Sequence, residues 1–242
     1  VARVSDQLDT TPKLLLWDID LTLVDLRGLG GTWYAEALTA VAGIALTELP
    51  SFPGRTERAI TVELLTAHGV EPTEELINKV WAELVTQSAK SFPTLTEHGH
   101  ALPGAAAALD AFAGKNGVVQ SLVTGNLPEV ARHKLDAFAL GTHIDFDIGG
   151  YGTISAHRAD LVSHAVEQAS GKHGAPFAPE SVVIIGDTPH DVAAALDHGA
   201  LAVGVATGRN SAGELRESGA HLVFENLSDT QAVLKAILNA EV

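Results

Sequence analysis

The sequence predicts an α/β fold, a doubly wound parallel-sheet core with a small α-helical domain inserted into it. Three observations predict this. Short apolar, branched runs alternate with helical stretches, which implies parallel strands joined by right-handed crossovers with helices on both sheet faces. The segment from 26 to 100 breaks that rhythm, holding three helical patterns and no convincing strand. Several of the strand-like runs end in carboxylates or hydroxyls, and open α/β sheets bind their ligands outside the carboxyl ends of the strands.

KLLLW at 13 to 17 is the first strand, because a continuous apolar run of this length suits a strand covered on both faces. The insert follows. Its clearest helix opens at Pro72-Thr73-Glu74-Glu75, with Thr73 as a candidate N-cap and acidic residues in the first turn. Leu76, Ile77, Val80, Trp81, Leu84 and Val85 give that helix one apolar face. DLRGLGG at 25 to 31 and EHGHALPG at 97 to 104 read as hinge linkers. Trp33, Tyr34 and Trp81 are expected to pack within the insert. His98 and His100 lack companion ligands and read as solvated, and GLGG lacks the Lys-Ser/Thr of a phosphate loop. The expected division is therefore 1–25 with 101–242 as the catalytic core and 26–100 as a helical cap.

After the insert the alternation resumes with a helix at 104–113, a strand at 118–123 and a helix at 128–139. A weaker strand is expected at 144–148 (IDFDI), then a helix at 158–169 and a strand at 181–185 (SVVII). A helix at 190–198, strands at 201–205 and 221–224, and a helix at 229–239 complete the chain.

Composition narrows the function. With 15 basic against 30 acidic residues the formal net charge is −15, which repels nucleic acid and anionic lipid. Phosphate could be handled only through a bound cation or a few well-placed basic groups. Cysteine is absent, so disulfides, thiolate metal sites and a cysteine nucleophile are excluded. VARVSDQLDTTP has no apolar stretch of signal-peptide length, and no run approaches about 18 apolar residues, so a soluble, cytoplasmic protein is expected.

The strand ends carry the chemistry. The first delivers Asp18 and Asp20 with Thr22, the second Thr124-Gly125-Asn126, and a later one Gly186-Asp187-Thr188-Pro189-His190-Asp191. Arg158, at the start of a helix, is a basic residue within reach, with His157 and Lys172 as alternatives. Two carboxylates so close either raise each other's proton affinity or demand a cation. The duller readings are an N-cap or turn aspartate, a Thr124 that merely caps the helix opening at Pro128, and surface ion pairs for Arg158 and Arg55.

DIDLT at 18–22, VTG ending in Thr124 and Gly125, Arg158, and GDTPHD at 186–191, in this order, resemble the haloacid dehalogenase-like superfamily of hydrolases. The resemblance implies a Rossmann-like core and assigns roles. Asp18 is then the nucleophile that forms an aspartyl phosphate, and Asp20 the general acid/base, its proton affinity raised by acidic neighbours. Asp18, the backbone carbonyl of Asp20, and Asp187 hold Mg²⁺, with Asp191 supporting that set from one position out. Thr124 and the N–H groups of Gly125 and Asn126 hold phosphoryl oxygens, and Arg158, where Lys is commoner, offsets their charge. The insert is similar to the helical cap of the phosphoglycolate phosphatase and β-phosphoglucomutase subgroup. Within it FPGRTERAI at 52–60 resembles the substrate-reaching loop, with Arg55 placed to meet a carboxylate or second phosphate.

The expected function is a Mg²⁺-dependent phosphatase for a small phosphorylated metabolite such as phosphoglycolate, acting as a monomer or homodimer. A phosphomutase is the alternative. A receiver-type phospho-acceptor is the alternative of another class, which the helical insert and the chain length disfavour. Members that cleave carbon–halogen bonds have no alcohol leaving group and no need of Asp20.

Overall fold

The computed structural model describes residues 12–46 and 51–240; the N-terminal residues 1–11, on which the absence of a leader was read, lie outside them. In chain order the elements are β1 (Lys13–Trp17), β2 (Val24–Asp25), α1 (Leu29–Ala42), α2 (Glu57–Ala67), α3 (Glu74–Ser91) and α4 (Leu95–His98). Then come β3 (His100–Ala101), α5 (Ala105–Ala113), β4 (Val118–Thr124), α6 (Pro128–Ala137), β5 (Gly150–Tyr151) and α7 (Arg158–His173). The chain closes with β6 (Val182–Gly186), α8 (Pro189–His198), β7 (Leu201–Val205), α9 (Ala212–Glu217), β8 (Leu222–Phe224) and α10 (Thr230–Asn239).

Six strands form one parallel sheet in the order β5-β4-β1-β6-β7-β8. β1 lies at its middle, and the period-2 alternation of a strand explains why its run is apolar throughout. Leu15 and Trp17 enter the core on one face; Leu14 and Leu16 enter the core on the other, and all four are fully buried. α5, α6 and α10 contribute Leu109, Leu135 and Ile237 to the first core, while α7 and α8 contribute Val162 and Ala195 to the second.

A third apolar core gathers α1, α2 and α3 around Leu38, Leu65 and Val80, with Trp33, Tyr34 and Trp81 buried in it. Leu127 and Val130 of the α6 region join the same cluster, so these helices are packed onto the sheet domain rather than hung from it. Thr73 caps α3 as expected, its hydroxyl accepting from the Leu76 amide at 3.3 Å.

Four expectations need correction. Phe146–Ile148 is a 3₁₀ turn, and the edge strand is the two-residue Gly150–Tyr151, paired to the end of β4. The apolar pattern IDFDI comes from Ile144 and Ile148 tucking under the sheet edge, not from strand alternation. The GLGG stretch is mostly helix, since α1 starts at Leu29, and the chain reverses at Arg27 and Gly28, both at positive φ. A short antiparallel ribbon, β2 with β3, joins the two chain crossings into and out of the helical segment. α9, a six-residue helix with a Ser211/Glu214 capping box, is too short to carry a helical period and was not anticipated.

Candidate active site

β4, β1 and β6 are neighbours at the centre of the sheet, so the residues that follow them emerge side by side. The Asp18 amide donates to the carbonyl of Ile185 at 2.8 Å, continuing the strand ladder by one residue before the chain turns. The turn closes with the Leu21 amide on the Val24 carbonyl, Leu21 at positive φ, and the Thr207 hydroxyl on the Leu21 carbonyl at 2.6 Å. Asp18 is therefore held by backbone geometry, with its side chain nearly buried.

Arg158 is the basic residue that reaches it. From the first turn of α7 its Nη2 donates to Asp18 Oδ1 at 2.7 Å and to the Val123 carbonyl at 3.0 Å, and it lies 2.7 Å from Asp191 Oδ1. Lys172, the other basic option, is half-exposed and pairs with Asp145 and Asp147 instead. Burial opposes the guanidinium charge, but the Asp191 and Asp18 carboxylates outweigh it and hold Arg158 firmly protonated.

Asp18, Asp187 and Asp191 each present a carboxylate oxygen within 4.8 Å of the others, all three buried. Burial first, then neighbouring carboxylates, push both Asp18 and Asp187 well above the usual carboxylate range against the pull of Arg158; the neighbours are Asp191 and Asp20 for Asp18, and Asp18 and Asp191 for Asp187. Among the described residues Asp187 Oδ2 has no hydrogen-bond partner, and its space exists because residue 208 is glycine: a Cβ there would fall 1.7 Å from that oxygen. An orphaned buried carboxylate oxygen facing two other acids fits a hard divalent cation, which takes oxygen ligands and lets such groups ionise together. Asp191 is partly engaged elsewhere: its Oδ2 accepts from both the amide and the hydroxyl of Thr188, a capping box that starts α8.

Asp20 stands apart from that cluster. Its side chain is about half-exposed, and both carboxylate oxygens lie 2.7 Å from Lys134 Nζ. The neighbour that touches it is thus a cation, not the acids that sequence reasoning invoked. Asn126 Nδ2 donates to Asp20 at 2.8 Å and to the Thr124 hydroxyl at 2.8 Å, and Lys134 also donates to Asn126 Oδ1 at 2.7 Å. Thr124 does not cap α6, whose N-cap is Leu127; its hydroxyl also accepts from the Asn126 amide and closes the loop.

Lys134 was missed. It is nearly buried, and it follows Val130 by four residues, on the stripe of α6 that faces the cleft. A lysine at the edge of an apolar stripe was the available signal, but such lysines usually snorkel to water. Glu57 was missed as well; in the cleft wall it accepts a hydrogen bond from Tyr34, which was read only as packing within the insert, and burial pushes the Glu57 carboxyl up to about 7.

The cleft has a volume of about 890 Å³ and runs between the sheet edge and the helical segment. Its floor includes Asp18, Thr124 and Arg158, and its upper wall Trp33, Phe52 and Ile60. Arg55 lines it too, with the guanidinium held by Glu63 and the Ser51 carbonyl. The 55–58 segment rests directly on the floor, the Glu57 amide donating to the Gly125 carbonyl at 2.9 Å and the Arg58 amide to the Gly152 carbonyl at 3.0 Å. Gly125 permits this, because a Cβ at that position would lie 1.9 Å from the Arg55 carbonyl oxygen.

The family model of haloacid dehalogenase-like hydrolases matches residues 15–196. The chain belongs to that family. Its fold is shared by a hydrolase from Pseudomonas syringae, 24% identical with a TM-score of 0.66, over 94% of this chain and 99% of the other. It is also shared by a candidate β-phosphoglucomutase from Bacteroides vulgatus, 18% identical with a TM-score of 0.66, over 96% and 92% of the two chains. A predicted phosphoglycolate phosphatase from Haemophilus somnus is 18% identical with a TM-score of 0.62, over 92% and 97%. No curated protein sequence matches significantly. As a haloacid dehalogenase-like hydrolase, the chain carries the carboxylates of both short motifs at adjacent strand ends. Among the described residues, no helix is long and apolar enough to cross a membrane.

Proposed function

We propose that this hydrolase is a Mg²⁺-dependent phosphatase for a small phosphorylated metabolite, working through an aspartyl phosphate on Asp18. The observation that carries the reading is the buried Asp18–Asp187–Asp191 cluster beside the Thr124–Asn126 loop, with Asp20 a separate carboxylate at the cleft. Asp18, the Asp20 carbonyl and Asp187 would hold Mg²⁺, which neutralises carboxylate and phosphoryl charge when bound.

Oδ1 of Asp18 accepts from Arg158 and its second lone pair would serve the metal, which leaves Oδ2 to attack phosphorus. Thr124 and the amides of Gly125 and Asn126 bind the phosphoryl oxygens, and Arg158 compensates their charge from behind the nucleophile. Asp20, facing the leaving side, hands a proton to the departing alcohol and then takes one from the water that cleaves the acyl phosphate. The docked 55–58 segment covers one side of the phosphate-binding loop while this happens. Phosphoglycolate is one candidate by family likeness, and Arg55 and the half-open cleft accommodate other anionic or bulkier esters.

A panel of small phosphoesters, phosphoglycolate and β-glucose 1-phosphate included, assayed with Mg²⁺ and again with a chelator, tests the reading. Phosphate release that stops on chelation and returns with Mg²⁺ is expected. Asp18→Asn should lower it by at least about 10³-fold with folding intact. Retained Mg²⁺-dependent turnover in that variant would falsify the nucleophile assignment.

A further inference from the structure

We infer that Lys134 is a positioning residue, one that fixes the carboxylate of Asp20 and the amide of Asn126 in a single arrangement for proton transfer; this rests on the phosphatase reading above. Asp20 needs such a device. It sits at the start of a turn with a half-exposed side chain, and among the described residues its carboxylate is hydrogen-bonded only by Asn126 and Lys134. Lys134, by contrast, is 5% exposed and arises from the second turn of α6, whose Ala131 and Leu135 are locked in the sheet core. It carries the rigidity of the core to a carboxylate that lacks it.

The ammonium has three donors, and the geometry uses them on Asp20 Oδ1, Asp20 Oδ2 and Asn126 Oδ1, each at 2.7 Å. Reading Asn126 this way also sets which end of its amide points where: the carbonyl meets Lys134, so the NH₂ must face Asp20 and Thr124. One cation therefore orders the acid/base and the phosphate-binding loop together. From the other side the Trp33 ring of the helical segment lies 5.9 Å from Nζ, at the outer limit of a cation–π contact, and shields the ammonium from water.

Misplacement of a proton-transferring group costs most where the leaving group most needs its proton. Lys134→Met keeps the stem and removes the ammonium. On an alkyl ester such as glycerol phosphate its kcat should fall about 10²-fold and on p-nitrophenyl phosphate less than about 10-fold, while KM rises by the same factor on both as Asn126 loosens. In an Asp20→Asn background the same replacement should cost no more on the alkyl ester than on p-nitrophenyl phosphate, because the leaving-group-dependent part of its effect passes through Asp20 and only the Asn126 part remains. Equal losses on both esters, additivity with Asp20→Asn, or faster turnover would each overturn the inference. A crystal structure of Lys134→Met separates this from failure of the phosphatase reading: Asp20 and Asn126 displaced is expected whatever the substrate, and both groups unmoved overturns the role. If Lys134→Met does not fold, Lys134→Gln takes its place, and failure of both would assign Lys134 to stability instead.

Discussion

At the residue scale, the site sorts its carboxylates by what touches them. Asp18 meets a guanidinium, Asp20 an ammonium, and Asp187 Oδ2 no hydrogen-bonding group among the described residues. Glu57 is a fourth case, a partly buried acid whose hydrogen-bond partner is the Tyr34 phenol. Its carboxyl rises from an ordinary 4.5 to about 7, mainly through burial, so between those two values the folded chain binds more protons than the unfolded one. Stability therefore falls as pH rises through that window, and the loss is complete above about 7. Glu57→Gln keeps an acceptor for Tyr34 and removes the titration. It should raise the melting temperature at about pH 8, by no more than about 3 kcal/mol of stability and less where water reaches the group, and have little effect near pH 4.5. Thermal melts of both proteins at several pH values check this; parallel curves would rule it out.

At the scale of elements, the legible features were those with a long or unambiguous period. β1 was readable because a strand covered on both faces must be apolar at every position, and α3 because eighteen residues carry several turns of one stripe plus a Thr73 cap. The strand ends were readable too: Asp18, Thr124, Asp187 and Arg158 come together as the motif order suggested. What escaped was set by tertiary contact. The edge strand at Gly150–Tyr151 is two residues long and exists because β4 offers it a ladder, and Lys134 looks like any helical lysine until Asp20 is placed opposite it. The seating of the 55–58 segment on Gly125 is another such contact. Gly125→Ala would drive a methyl into the Arg55 carbonyl, so the segment must lift off the loop. Phosphate release should drop by about 10-fold or more, with faster protease cleavage within 51–58 and a stability loss of about 1–3 kcal/mol. Unchanged cleavage and activity would show that the segment seats without this contact.

For the whole molecule, the electrostatic problem is how a chain of net charge −15 handles an anion. The cleft answers it by local imbalance. Arg27, Arg55, Lys134, Arg158 and Arg209 line it against Asp18, Asp20, Asp25 and Glu57, five basic residues to four acidic where the chain has 15 to 30. Asp187 and Asp191, just outside that lining, reverse the count, and a divalent cation at the aspartate cluster would restore it. Since burial keeps Asp18 and Asp187 hungry for protons, cation binding must expel them. Added Mg²⁺ should accordingly raise the melting temperature, by about 2.7 kcal/mol of stability at a hundred times its Kd, and the apparent Kd should tighten from about pH 6 to about pH 8.5. Asp187→Asn should abolish the shift. A Mg²⁺ effect independent of pH, or surviving that replacement, would place the cation elsewhere.

The seating of the 55–58 segment has one more consequence. Two of its attachments are amides on carbonyls, Glu57 to Gly125 and Arg58 to Gly152, and backbone groups are the same whatever side chains flank them. Apart from the glycines beneath it, that seating calls on one side chain of the segment, Arg58, whose Nε donates to the Thr153 carbonyl at 3.1 Å. Residues of the helical segment that look into the cleft can therefore be exchanged wholesale, and new leaving groups sampled, without renegotiating how the roof meets the floor.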